Sequence, residues 1–461
     1  RKALTEANGE TDKPTLIIGK TIMGKGALKA DGSSFERTCA THGMPLGEAG
    51  ASFEKTIENL GGDPQNPFVI FPEVAELYAK TREKNKALAS FRKTQQHEWK
   101  HKYPELSARL NSYLKGELPD LNFEEIAQKP GIATRAASSA VLGYLAQNVG
   151  NMIVSSADLA NSDKTDGFLK YTKPFTKGDF SGAFLQAGVS ELTMAAICNG
   201  IALHGGVIAA CATFFVFSDY MKPAIRLSAL MGLPVKFIYS HDAFRVGEDG
   251  PTHQPIEQEA QLRLLENLKN HHGQMSLLAL RPADAAETTV AWKMAMENTS
   301  TPTALILSRQ NITDIPALSN STRYQDALNA LKGAYVAADC EAMPDIVLLA
   351  SGSEVSTLLD GAKLLTGRNN LKVKIVSVIS EGLFRQQPKE YQKEILPCGV
   401  PRFGLTAGLH VTLAGLVGSK GKVWGLDHFG YSAPAKILDE KFGFTAENVY
   451  NQVIAFLEEI K

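Results

Sequence analysis

From residue 131 onward the chain alternates short apolar runs with helix-like runs, and this alternation constrains the fold more than any other feature. Strand-like runs stand at Val207–Ala210, Val235–Tyr239, Leu277–Leu280 and Ala304–Leu307, and helix-like runs at Ala136–Leu145 and Thr193–Leu203. The pattern predicts an α/β fold: a mostly parallel sheet with helices on both sides. A second α/β unit is predicted further on, with strands at Ile346–Ala350 and Val373–Val378. Ser351-Gly352-Ser353-Glu354 has capping-box spacing ahead of a helix that carries Val355, Leu358 and Leu359.

The region before residue 131 differs. Thr15-Leu16-Ile17-Ile18-Gly19 is a short apolar run and predicts a buried strand. A polar loop follows and ends at Thr41-His42-Gly43-Met44-Pro45-Leu46-Gly47. Pro72 is placed to open a helix with Val74, Leu77, Tyr78 and Thr81 on one face, and lysine, arginine and glutamate fill the rest. At 461 residues the chain exceeds one ordinary domain. The expected division is residues 1–50, a charged helical connector at 51–128, an α/β domain at 129–318, a linker at 319–343 and a C-terminal α/β domain at 344–461. The chain opens at Arg1-Lys2-Ala3-Leu4, which reads as the middle of a helix, so an upstream portion is expected.

Charge and cysteine content narrow the class. Forty-eight basic and 49 acidic residues give a net charge of −1, which provides no global basic field for nucleic acid. No apolar stretch reaches membrane-spanning length. Five scattered cysteines without Cys-x-x-Cys spacing fit a reducing, cytoplasmic setting and indicate no zinc site.

Reactive side chains concentrate in four segments of the middle domain. Gly247-Glu248-Asp249-Gly250-Pro251-Thr252-His253-Gln254-Pro255-Ile256-Glu257 is rich in turn residues and holds acids and an imidazole in one tight loop. It follows His241-Asp242 at the end of an apolar run, where parallel α/β sheets place their ligands. Ser155 to Ser162 includes Asp158, Gly188 to Met194 includes Glu191 at the start of an apolar helix, and Phe214, Phe217 and Tyr220 recur every three residues. Singly, each has a plain structural reading. Glu191 favours a helix N-terminus, the aromatics form a core stripe, and Asp158 and Ser162 cap helices. In the same reading His42 is a loop histidine, and Arg135 and Arg309 are surface charges.

Their joint order resembles the transketolase family of thiamine-diphosphate enzymes. The matching stretches are His42-Gly43 with Pro45-Leu46, Ala133-Thr134-Arg135, Ser156-Ala157-Asp158-Leu159, Glu191 with Asn199-Gly200-Ile201, and Thr213-Phe214 with Phe217 and Tyr220. They continue through Arg226-Leu227-Ser228-Ala229-Leu230, His241-Asp242, the 247–257 loop, Arg281-Pro282-Ala283-Asp284, Ser308-Arg309-Gln310-Asn311 and Ala350-Ser351-Gly352-Ser353-Glu354-Val355. A Gly-x-Asp-Gly-Pro-Thr-His core alone also fits deoxyxylulose-phosphate synthases.

The resemblance implies a multidomain thiamine-diphosphate-binding fold that transfers a two-carbon ketol unit from a ketose phosphate to an aldose phosphate. It assigns Glu191 to the cofactor's aminopyrimidine, where it must be protonated to donate, a form that desolvation favours. Phe214, Phe217 and Tyr220 surround the pyrimidine, Asp158 supports the cofactor region, and His42 reaches diphosphate and substrate. His253 faces the donor's hydroxyl and carbonyl, and Asp249 reads an acceptor hydroxyl. Arg135, Ser162, His241 and Arg309 grip the sugar phosphate, a task suited to guanidinium donors. The resemblance further implies a homodimer with active sites at its interface, and magnesium or calcium bound through an upstream Gly-Asp-Gly…Asn segment. No such segment occurs in this sequence, so residues 1–50 are expected to be the remnant of a diphosphate-binding domain and the polypeptide alone to be inactive. Ser190 and Leu192 depart from the family's usual Arg and His beside the key glutamate. Dihydroxyacetone synthase, deoxyxylulose-phosphate synthase and a non-catalytic partner subunit are the alternatives.

Overall fold

The computed structural model describes Arg1–Ile460, and the chain divides into two compact units, Arg1–Tyr103 and Pro104–Lys461. The first unit carries helices at Lys2–Gly9, Phe53–Asn59 and Pro72–Lys102 and a small apolar cluster of Ala27, Phe35 and Ala51, against which Leu46 and Ala49 pack. Pro72 occupies the first turn of its helix, as expected, but no residue of that helix is buried, and Leu77, Tyr78, Leu88 and Phe91 are exposed.

The buried strand expected at Thr15–Gly19 does not form. These residues are irregular, and Leu16 and Ile18 are 84% and 79% exposed. A strand needs a neighbour for its backbone groups, and no described segment pairs with this one.

In the second unit the alternating pattern yields a six-stranded, wholly parallel sheet. Its strands are β1 (Met152–Ser156), β2 (Phe184–Gln186), β3 (Ile208–Phe214), β4 (Lys236–Ser240), β5 (Leu278–Leu280) and β6 (Thr303–Leu307). Their order is β2-β1-β3-β4-β6-β5, so the central strands are covered on both faces. Every residue of β4, β5 and β6 is buried accordingly. Helices Thr134–Asn148, Glu191–His204, Ser218–Met231, Gln258–Asn267 and Ala285–Glu297 connect or cover them.

The second sheet contains β7 (Tyr335–Ala338), β8 (Ile346–Ala350), β9 (Val373–Ser377), β10 (Arg402–Leu405) and β11 (Lys422–Trp424), in the order β11-β10-β8-β9-β7. All neighbours are parallel except β7, which runs antiparallel to β9. Residues 319–343, read as a linker, therefore contain an edge strand, along with a capped helix at Arg323–Ala327. One apolar core joins the sheets, from Val154, Trp292 and Leu305 to Leu348, Ile375 and Phe403.

A buried ionic network also ties them together. Arg281, 1% exposed, donates to Asp242 at 2.8 Å, to Glu354 at 2.5 Å and to the Ser351 carbonyl at 3.0 Å. Arg245 donates to Glu354 and Asp439, each at 2.7 Å. This network overrides the capping box. The helix begins at Glu354 and Ser353 makes no side-chain cap, because the Glu354 carboxylate faces two guanidinium groups instead of its own helix end. Burial pushes the Glu354 carboxyl up, but Arg281 and Arg245 outweigh that and hold it below its ordinary range.

Candidate active site

The parallel register brings the C-terminal ends of β1, β3, β4 and β6 to one edge: Ser156 lies opposite Ala212, Phe214 opposite Ser240, and Ser240 opposite Leu307. The residues that follow these strands are Ala157-Asp158, Phe215–Phe217, His241-Asp242 and Ser308-Arg309, so four loops meet there. Glu191 begins its helix five residues after β2 and is buried. Its one hydrogen-bond partner, the Thr213 hydroxyl on β3, lies at 3.5 Å, the limit for such a bond, so its carboxyl group remains available.

Beside it runs an aromatic series. Tyr220 and Phe217 stack with ring centroids 5.9 Å apart, Phe217 and Phe214 at 6.1 Å, and Phe214 and His241 at 3.7 Å. His253 meets Phe217 edge-on at 5.4 Å. The core-stripe reading of the aromatics fails, since Tyr220 is 60% exposed and Phe217 half-buried. Ser218 Oγ, next to Phe217, is buried without a hydrogen-bond partner among the described residues.

A second cluster is cationic. Arg135 donates to the Ser162 carbonyl at 2.6 Å and approaches His241 Nε2 at 3.5 Å. His241 Nδ1 lies 2.9 Å from the Ser240 hydroxyl. Arginine only donates, so Nε2 is the accepting nitrogen and Nδ1 carries the hydrogen. Burial, then Arg135, Arg309 and His253, push the His241 imidazole down to about 3, so it is neutral. Burial and the neighbouring charge of Arg309 also lower Arg135. The charge of Arg309 acts on Arg135, so two guanidinium groups lie near one another here, an arrangement whose donors suit an anion's oxygen atoms.

Two non-glycine residues here adopt left-handed backbone, Asp158 at φ 63° and His241 at φ 63°. Such strain clusters at functional sites. Asp158 is exposed and caps no helix; Asp249 and Arg309 are exposed as well. His42 lies in the first unit, exposed, just beyond the short 3₁₀ turn Cys39–Thr41.

Three anchoring residues had no sequence signal, because their partners are remote in the chain. Gln254 donates to Gly247 O and Tyr431 O, both at 2.9 Å. Ser432 donates to Glu248 O at 2.5 Å, and Arg245 clamps the start of the loop. The C-terminal unit thus grips the 247–254 loop from outside. Among the described residues no cluster of three His, Cys, Asp or Glu is placed to hold a metal, and no helix is long and apolar enough to cross a membrane.

Residues 130–314 match the family described as transketolase, pyrimidine binding domain. Residues 1–119 match transketolase, thiamine diphosphate binding domain, and residues 333–445 the transketolase-like C-terminal domain. The chain belongs to the transketolase family. It is 39% identical to a transketolase of Bacillus subtilis over 464 residues, 99% of this chain and 66% of that protein. A Staphylococcus aureus transketolase is 38% identical over 471 residues, again covering 66% of its length. The solved transketolase from Leishmania mexicana superposes with a TM-score of 0.88 at 33% identity, over 100% of this chain and 64% of that one. The chain therefore spans about two thirds of the length of these transketolases. A split-gene transketolase, described as an inactive β4 tetramer, shares the fold with a TM-score of 0.54 at 23% identity, over 71% of this chain and 98% of its own. The match to the thiamine diphosphate binding domain spans both residues 1–50 and most of the stretch read as a connector.

The neutral His241 of this transketolase-family site predicts a pH signature. Its folded value of about 3 lies below the ordinary value of 6.5. Between these values the unfolded chain takes up a proton that the folded chain refuses, so stability falls as pH drops through that window, by up to about 1.4 kcal/mol per pH unit. His241→Gln removes this term. Urea midpoints measured from pH 7 to 4.5 should fall less steeply for the variant; parallel profiles contradict the assignment.

Proposed function

We propose that this chain supplies the pyrimidine-binding and substrate-binding side of a transketolase active site, transferring a two-carbon ketol unit between sugar phosphates in the pentose phosphate pathway. The observation that carries the reading is one edge of the sheet that holds Glu191 beside the Phe214–Phe217–Tyr220 series and, beyond it, the Arg135–Arg309 pair. An available carboxyl group and open aromatic faces fit an aminopyrimidine, and the unpartnered Ser218 hydroxyl marks a polar position in the same wall.

Thiamine diphosphate, once bound, supplies the carbon nucleophile that ketol transfer requires. Glu191 holds a proton toward the pyrimidine ring. Phe214 and Phe217 keep water out of the site. Arg135 and Arg309 bind the substrate phosphate, and neutral His241 orients Arg135 while adding no charge. His253, held edge-on against Phe217, meets the donor's oxygen atoms, and Asp249 meets an acceptor hydroxyl. Asp158 supports the cofactor region. The divalent ion expected with the diphosphate, magnesium or calcium, finds no ligand cluster among the described residues.

A homodimer is part of this reading. Helices Glu191–His204 and Ser218–Met231 expose Leu192, Leu203, Leu227 and Met231, 45–66% each, around an apolar hollow of about 320 Å³. Such a face supports burial against a second copy. Leu192, where the family usually has histidine, adds to it. Five free cysteines support a reducing, cytoplasmic setting.

In a preparation competent for ketol transfer, Glu191→Ala should lower turnover by roughly 10²–10⁴-fold at saturating cofactor, the range for a positioned acid–base group. Steady-state kinetics with xylulose 5-phosphate as donor checks this, and near-normal turnover refutes it. The second expectation concerns the phosphate. Arg135→Ala and Arg309→Ala should each weaken use of phosphorylated acceptors by roughly ten- to a hundred-fold, the worth of one charge-assisted hydrogen bond. Non-phosphorylated acceptors should be affected far less, and equal losses on both acceptor types point to a structural role.

A further inference from the structure

Residues 97–101 read His-Glu-Trp-Lys-His, and nothing in the transketolase reading uses them. They lie in the last two turns of the helix Pro72–Lys102. Residues four apart share one face of a helix, and both imidazoles are exposed. Their Nε2 atoms stand 3.1 Å apart, with ring centroids at 4.4 Å and ring planes at 77°. The two ring tips therefore converge on one point outside the helix.

That separation suits a metal ion. Zinc–imidazole bonds of about 2.0–2.1 Å place two nitrogens roughly 3.3 Å apart on a tetrahedral ion and roughly 2.9 Å apart on an octahedral one. The observed 3.1 Å lies between these values, so seating an ion requires only a small rotation of each ring. In the metal-free pair one ring donates the N–H and the other accepts it. When the ion enters, the donating ring shifts its hydrogen to Nδ1, and both Nε2 lone pairs face the metal. Glu98 precedes His101 by three residues, so it is exposed on the adjacent surface, where its carboxylate can accept from a metal-bound water.

We propose that His97 and His101 form a two-histidine site for a late first-row divalent cation, with Zn²⁺ as the occupant and water completing its shell. The H-E-x-x-H spacing is that of zinc-binding helices, but no third protein ligand is available among the described residues. The site is therefore open and reversible. The exposed helix carries no cleft for a peptide, so hydrolytic chemistry is not part of the proposal.

Calorimetric titration of the full chain with ZnCl₂, in a buffer that does not chelate zinc, tests it. The expected result is one ion bound with Kd of roughly 1–100 µM, about half the binding free energy of a four-ligand structural site. His97→Ala and His101→Ala should each weaken binding at least ten-fold, while His271→Gln, at an exposed histidine elsewhere, leaves it unchanged. Both replaced side chains are exposed on a helix, and unchanged circular dichroism confirms that the fold survives. Absence of binding at millimolar zinc overturns the proposal. So does an affinity that is the same in the wild type and in both helix variants.

Discussion

The ionic network around Arg281 and Glu354 is the constraint on which the rest of the second unit depends. It sets the guanidinium groups of Arg281 and Arg245 against four carboxylates, from Asp242, Glu259, Glu354 and Asp439, between the two sheets and mostly out of reach of water. Buried charges of this kind contribute little net stability over apolar packing, but removing one partner costs about 3–5 kcal/mol. Their geometry is therefore exacting. Asp242 follows His241 directly, and Arg245 stands two residues before Gly247, so the same network fixes the stretch that leads into the loop carrying Asp249 and His253. Gly352 tightens the join: its φ of +64° and the Arg281 side chain, 2.8 Å from where a Cβ would stand, leave room for no other residue.

The site built on this frame separates its tasks by electrostatics. At one end a lone carboxyl group sits among aromatic rings. At the other, two arginines and a neutral imidazole present positive charge with Asp163 as the nearby acid. That acid is itself buried and pushed up to about 6, so it is mostly ionised at neutral pH, offsets part of the arginines' charge there, and loses that charge as the pH falls through about 6. His241 stands at this cationic end as a neutral acceptor toward Arg135, because an imidazole pushed down to about 3 carries no charge near neutrality.

Much of this was legible in the sequence, for physical reasons that also explain the failures. Strands β3, β4, β6, β8 and β9 are five to seven residues long and apolar, and each appears as an apolar run. Strands β2 and β11 have three residues each and are partly exposed, so they leave almost no periodic signal. Edge strand β7 has only four residues, alternates between buried and half-buried, and follows a polar stretch whose composition predicts a linker. Leu16–Ile18 shows the converse: an apolar run specifies a strand only when a neighbour offers its backbone. The 247–257 loop was legible because Gly247 and Gly250 must adopt positive φ, 91° and 76°. Its anchors were not, since Arg245 reaches partners 109 and 194 residues further along the chain. Local spacing cannot report such contacts. For the same reason the Ser351–Glu354 capping box was a sound local inference that a stronger, distant interaction displaced.

The central claim is that the C-terminal sheet holds the active-site loop through the Arg245–Glu354 contact. Hydrogen–deuterium exchange on Glu354→Gln tests this most directly. In the loop, Gly247, Gly250 and His253 donate their amides to Phe244 O, Gly247 O and Gly250 O at 3.0–3.2 Å, bonds that survive only while the loop keeps its shape. The account predicts that these amides exchange at least ten-fold faster in the variant, equivalent to about 1.4 kcal/mol of lost local stability. The helix Thr134–Asn148, remote from the network, should exchange as in the wild type. Unchanged loop exchange in a folded Glu354→Gln protein contradicts the account.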